Sequence, residues 1–122
     1  ERQEIAAVYN GKPCLDVGLM TDVFSGYGKS DGIIRAVRCM SPDYIVTDEL
    51  GADAESIRQA VNSGSGLIMT AHADSIEEAY RNEGIRTVID SGAIQHIALV
   101  QSHRITAVKQ LITAEANAVC TI

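Results

Sequence analysis

Two short apolar runs, each ending in polar residues, constrain this chain more than any other feature. Tyr44-Ile45-Val46-Thr47 runs into Asp48-Glu49, and Leu67-Ile68-Met69-Thr70 runs into Ala71-His72. Short runs rich in apolar and β-branched residues, bounded by polar ones, favour buried strands. Between them Ile57, Ala60 and Val61 recur at helical spacing, which predicts a helix over 54–63 capped by Asp53 and stopped by Gly64. Strand, helix and strand in that order form a βαβ unit and imply a parallel strand pair. A parallel sheet brings the C-terminal ends of its strands to one edge, and that edge is where open α/β sheets bind ligands. The polar residues ending the two runs are therefore expected to share one crevice.

The rest of the chain extends the same pattern. Ser30 is placed to cap a helix over 30–40, with Ile33, Val37 and Met40 on one face and Pro42 ending it. Residues 6–28 hold turn formers (Asn10-Gly11, Pro13 and Gly26-Tyr27-Gly28) and little periodicity, so they read as loop with a short strand near 17–23. Ser75 and Glu78 have capping-box spacing for a helix over 75–82, and a second short helix follows over 84–91. Residues 95–100 and 104–112 read as two strands around Ser102-His103, a hairpin near the C-terminus. The expected class is α/β, with a mostly parallel sheet. At 122 residues and 46% hydrophobic content the chain is long enough and apolar enough for one core. Its start at Glu1-Arg2-Gln3-Glu4-Ile5, without methionine, leads us to expect an internal piece of a longer protein.

Composition removes several function classes. A net charge of −6 argues against a general nucleic-acid surface and against an electrostatic membrane anchor. No stretch is long and apolar enough to span a bilayer. Cys14, Cys39 and Cys120 are odd in number and lack CxxC spacing, so they read as reduced thiols of a cytosolic protein rather than a disulfide framework or zinc site.

An apolar strand ending in adjacent acids is the Walker B arrangement of P-loop ATPases. Asp48 would hold the magnesium shell, and Glu49 would orient and activate the attacking water. The same pair could equally be two acids at a solvated strand end. Thr70 and His72, at the end of the next strand, could sense or stabilise a γ-phosphate; the plainer role for His72 is a hydrogen bond to a backbone carbonyl. Glu4 is a further candidate acid, or a surface glutamate. What raises the functional reading is that polar residues end successive strands. Gly26-Tyr27-Gly28-Lys29-Ser30 contains Gly-Lys-Ser, yet a phosphate-binding loop also needs glycine at position 23, where Val23 stands. No such loop is expected in this chain, and a phosphate contact by Lys29 alone is the minor reading. Asp48, Glu49 and His72 as ligands of a hydrolytic metal form a weaker alternative, because no HExxH-type spacing is present and His96 and His103 lie in the predicted hairpin.

These residues resemble a known family. The opening Glu1-Arg2-Gln3-Glu4-Ile5 stretch through Gly11, Asp16-Val17-Gly18, Thr21-Asp22-Val23, Met40-Ser41-Pro42-Asp43, Asp48-Glu49-Leu50-Gly51 and Thr70-Ala71-His72 are similar, in order, to the stage III sporulation protein AA family of secretion-type RecA-like ATPases. The likeness runs from residue 1 to about residue 100. It implies a partial RecA-like P-loop domain over 1–122, helices on both sheet faces, and a Walker A segment upstream of residue 1. By the same resemblance, Glu4 matches the acidic-box glutamate, Asp48 and Glu49 the Walker B pair, and His72 the histidine-box residue. ATP and Mg2+ are the implied ligands. The implied setting is a homo-oligomeric, hexameric ring on the mother-cell side of the cytoplasm, peripheral to the membrane through membrane proteins of the stage III sporulation channel complex, and without nucleic acid. Met20 and Ala52 stand where the family commonly has arginine, so neither place supplies an arginine finger. Arg35 and Arg38 remain as charge stabilisers or surface salt partners. A non-catalytic α/β scaffold descended from such an ATPase is the alternative. Alone, this segment is expected to be inactive. Because the phosphate-loop strand is central in such sheets, a rearrangement or self-association is expected to cover the strand edge left open.

Overall fold

The computed structural model describes residues 5–49, 54–111 and 118–121. Glu4 and Asp53 lie outside them. The chain opens with β1 (Val8–Tyr9) and β2 (Lys12–Pro13), an antiparallel pair turned at Asn10-Gly11, both at positive φ. Two such residues suit the tight turn of a two-residue hairpin. The strand expected near 17–23 does not form. Gly18 takes φ 84°, and Leu19 and Met20 stand fully in solvent, packed against no other segment among the described residues.

Helix α1 (Lys29–Met40) starts one residue earlier than predicted, with Gly28 rather than Ser30 in the cap position, and ends at Ser41 in the left-handed region just before Pro42. It leads into β3 (Tyr44–Thr47), then α2 (Ala54–Asn62), then β4 (Gly66–Thr70). Gly64 takes φ 90° after α2, a backbone state that costs glycine little. Ser75 caps α3 (Ile76–Ala79) by accepting from the Glu78 amide at 3.1 Å. The return bond of a capping box shifts by one residue, because the Glu78 carboxylate accepts from the Asp74 amide at 2.8 Å. Asn82 caps α4 (Glu83–Asp90). The hairpin of β5 (His96–Gln101) and β6 (Arg104–Gln110) turns at Ser102-His103, both at positive φ. A last strand, β7 (Ala118–Thr121), completes the order.

The larger sheet runs β3-β4-β7-β5-β6, parallel except for β6. The mostly parallel α/β class and the C-terminal hairpin are as expected. Strand β7 lies between β4 and β5 and pairs with both, so the chain's own C-terminal region fills the position between them.

The helices correct one expectation. Chain order β3, β4, β5 advances in one direction across the sheet, and right-handed crossovers then place every connecting helix on the same side. The core agrees: Ile33 of α1, Ile57 and Ala60 of α2, and Ile85 and Val88 of α4 join a single buried cluster with Ile45, Leu67, Met69 and Ile97 of the sheet. On the other face Tyr44, Val46 and Ile68 are exposed. Among the described residues the sheet is covered by helices on one face, not two, because the helix-connected strands β3, β4 and β5 follow one another in a single direction.

Candidate functional site

Strand β3 pairs with β4 so that Thr47 stands opposite Met69. One step further along, the two polar strand ends meet. The Glu49 amide donates to the Thr70 hydroxyl at 2.9 Å. The polar ends of the two runs thus meet through Glu49 and Thr70. Glu49 adopts φ 39°, a left-handed conformation unusual for a residue with a Cβ. The strand ladder ends at Thr47, before both acids. Asp48 and Glu49 are half-buried, and Thr70 is exposed.

Lys29, the first residue of α1, reaches the same place. Its ammonium donates to the Asp48 carbonyl at 2.7 Å and to the Glu49 carbonyl at 2.5 Å, and lies 3.7 Å from the Asp48 carboxylate. The side chains of Lys29 and Asp48 are each only 16% exposed, so the pair is shielded from water and its attraction is less screened than that of a surface pair. The Gly-Lys-Ser run therefore has a purpose other than the one its pattern mimics. No strand leads into it, since residues 14–28 hold none, and its lysine is committed to protein oxygens. Sequence reasoning gave Lys29 little weight. The available signal was a lysine in the first turn of the helix that feeds directly into the acid-tipped strand.

His72 lies two residues beyond Thr70, exposed, and makes no hydrogen bond or ion pair within the described residues. The carbonyl partner expected for an ordinary strand-end histidine is absent there. Arg35 is a surface salt partner: its guanidinium bonds the Asp31 carboxylate at 2.9 Å and stands 5.3 Å from the centre of the Tyr27 ring. The hydrogen bond to Asp31, and then its charge, raise the Arg35 pKa.

No group of three His, Cys, Asp or Glu side chains among the described residues is arranged to enclose a metal ion. Such a cage is what a zinc hydrolase would need. Magnesium asks for less: one or two carboxylates, with phosphate oxygens and waters completing its shell. Asp48, a shielded carboxylate at a strand end, fits that requirement. A separate shallow groove, lined by Val37, Pro42, Tyr44, Ser65 and Gly66, opens at the opposite ends of β3 and β4 and contains no group of this site.

The fold and these strand ends define a predominantly parallel α/β domain with a polar site where β3 and β4 finish. The family model of sporulation stage III, protein AA matches residues 1–116, and the chain belongs to that family. It is similar to stage III sporulation protein AA of Bacillus subtilis (strain 168), at 30% identity over 95 residues, which is 76% of this chain and 31% of that protein. The chain thus spans about a third of the length of that curated relative. No solved structure matches it. Membership of that family supports a role in sporulation. Among the described residues no helix is long and apolar enough to cross a membrane.

Proposed function

We propose that this chain is the acid-bearing part of a RecA-like sporulation ATPase. The observation that carries the proposal is the bond between the Glu49 amide and the Thr70 hydroxyl, which joins the acid pair and the Thr70-Ala71-His72 segment at one end of the sheet. In this reading Glu49 accepts a proton from a water aligned with the γ-phosphate. An oxygen–phosphorus bond forms, the bridge between the β- and γ-phosphates breaks, and ADP leaves with the bridging oxygen. Asp48 would hold a magnesium ion, which when bound offsets charge on the phosphates. The Thr70 hydroxyl and His72 would contact the γ-phosphate and report its loss, with Glu4 as an additional acid near the water. The phosphate-binding loop belongs to a longer chain. That chain would work as a hexameric ring on the mother-cell side of the cytoplasm. It would be docked on membrane proteins of the stage III sporulation channel complex, and its action would not involve nucleic acid.

Glu49→Gln in the whole protein tests this. The substitution keeps size and polarity and removes the base. ATP binding should persist while turnover falls by about 10²–10⁴-fold, the usual worth of general base catalysis. Undiminished turnover would remove Glu49 from the role.

A second reading, a non-catalytic α/β scaffold, is favoured by one observation. The lysine of the Gly-Lys-Ser run is spent on backbone carbonyls and is not presented to a ligand. Absence of both nucleotide binding and turnover in the longest natural chain would select the scaffold.

A further inference from the structure

The chain's Gly-Lys-Ser run is not accounted for by the proposed chemistry, yet its lysine sits at the acid pair. We propose that Lys29 is the positioning residue of that pair: its ammonium pins the turn after β3 and so fixes the directions in which the Asp48 and Glu49 side chains leave the strand. The catalytic part of this inference rests on the ATPase reading; the pinning does not.

The turn needs such a device. Strand β3 is at the sheet edge and stops at Thr47, so the carbonyls of Asp48 and Glu49 lie beyond the ladder that pairs β3 with β4. Glu49 is held at φ 39°, which its Cβ disfavours and which persists only where surrounding contacts impose it. Two contacts do so from opposite sides. From β4, the Thr70 hydroxyl accepts the Glu49 amide at 2.9 Å. From α1, Lys29 donates to both carbonyls across 19 and 20 residues of sequence. The ammonium also lies 3.7 Å from the Asp48 carboxylate. An ammonium group has donors enough for both carbonyls, and its charge also faces the Asp48 carboxylate. Arginine would place planar, forked donors there and fit the two carbonyls less well. Lys29 is further braced at its base, where the neighbouring Ser30 hydroxyl accepts from Ser56 of α2 at 3.3 Å. The acid turn is thereby tied to α1 and β4, not left as the free end of an edge strand.

Amide hydrogen exchange in the full-length protein reads the pinning directly. In Lys29→Met the Glu49 amide should exchange at least about tenfold faster, the scale of losing one hydrogen bond to a charged group. Leu67 and Met69 amides in β4 should keep wild-type rates, which excludes general unfolding as the cause. Where Glu49→Gln shows that ATP is hydrolysed, Lys29→Met should lower kcat while leaving KM for ATP unchanged, the signature of a defect in the reacting geometry. Lys29→Arg keeps the charge and serves if the methionine variant does not fold; it should show intermediate acceleration at Glu49 and an intermediate kcat. Wild-type exchange at Glu49 in a folded Lys29→Met or Lys29→Arg protein overturns the proposal, even where Glu49→Gln abolishes turnover. If the wild-type protein has no turnover, the ATPase reading falls, and the exchange at Glu49 still decides whether Lys29 pins the turn.

Discussion

The two faces of the five-stranded sheet are built from alternate residues of the same strands, yet they meet different surroundings. On the helix-covered face Ile45, Leu67, Met69 and Ile97 are buried against α1, α2 and α4. On the other, Tyr44, Val46 and Ile68 stand in solvent. Both sets are apolar, so residue type does not explain the difference. What separates them is the path of the chain, which advances from β3 to β4 to β5 in one direction and keeps its helices on one side. Predominantly parallel sheets are ordinarily covered on both faces. The comparison shows that hydrophobic pattern marks which residues sit in a sheet, while topology decides which face is covered.

The largest expected effect tests that contrast. Leu67→Ala removes a side chain that is 1% exposed and should cost about 2–5 kcal/mol, from lost transfer energy plus the cavity left behind. Val46→Thr, on a neighbouring strand but at a position 53% exposed, keeps the β-branched shape and should change stability by no more than about 0.5 kcal/mol. Denaturant unfolding of the two variants beside the wild type measures both. A comparable loss for Val46→Thr would break the comparison, because it would mean that the outer face is covered in solution.

A smaller effect concerns how the covering layer is held. Helix α3 is four residues long, too short to be stable through its own backbone bonds. Its start depends on Ser75, whose hydroxyl accepts from the Glu78 amide, and its buried Ile76 and Ala79 attach it to the core. Ser75→Ala should cost about 1 kcal/mol, as for other lost caps. Ser75→Asp, which restores an acceptor, should recover most of that in the same unfolding experiment. Failure of aspartate to recover it would mean that packing of Ile76 alone sets the helix start.

Much of this architecture was legible in the sequence because its signals are local. The apolar runs became β3 and β4, Ser75 became a cap, and Ser102-His103 became the turn of a hairpin. The meeting of Glu49 with Thr70 followed from parallel pairing of adjacent strands. What could not be read depends on contacts distant in sequence. Four residues, Ala118–Thr121, give no indication that they will enter the sheet between β4 and β5. Nor does a lysine announce that its partners are backbone carbonyls about 20 residues away, since every residue type carries the same carbonyl. The strand expected near 17–23 did not form: Gly18 takes a left-handed φ there, and Leu19 and Met20 bury nothing that would hold a strand in place.

The smallest predicted effect lies on α2, whose inward residues Ile57 and Ala60 cover the sheet and whose outward Glu55 and Arg58 face water. The Glu55 carboxylate accepts from Arg58 at 3.0 and 2.9 Å and from Gln59 at 3.3 Å. Hydrogen bonds from Arg58, then Gln59, hold its pKa below the ordinary carboxylate value. A depressed folded-state pKa means that the ionised form is favoured by folding. The support is therefore complete above the ordinary carboxylate range and is lost as pH falls through the folded-state value. Because both side chains are exposed, screening keeps the pair's contribution to stability slight. Arg58→Ala should move the Glu55 titration midpoint, followed by NMR, upward toward the ordinary value while the unfolding midpoint at neutral pH barely changes. An unmoved titration would show that the arginine does not hold the carboxylate in solution. A large drop in stability would instead give the outer side of α2 an importance that the comparison of buried and exposed positions denies it.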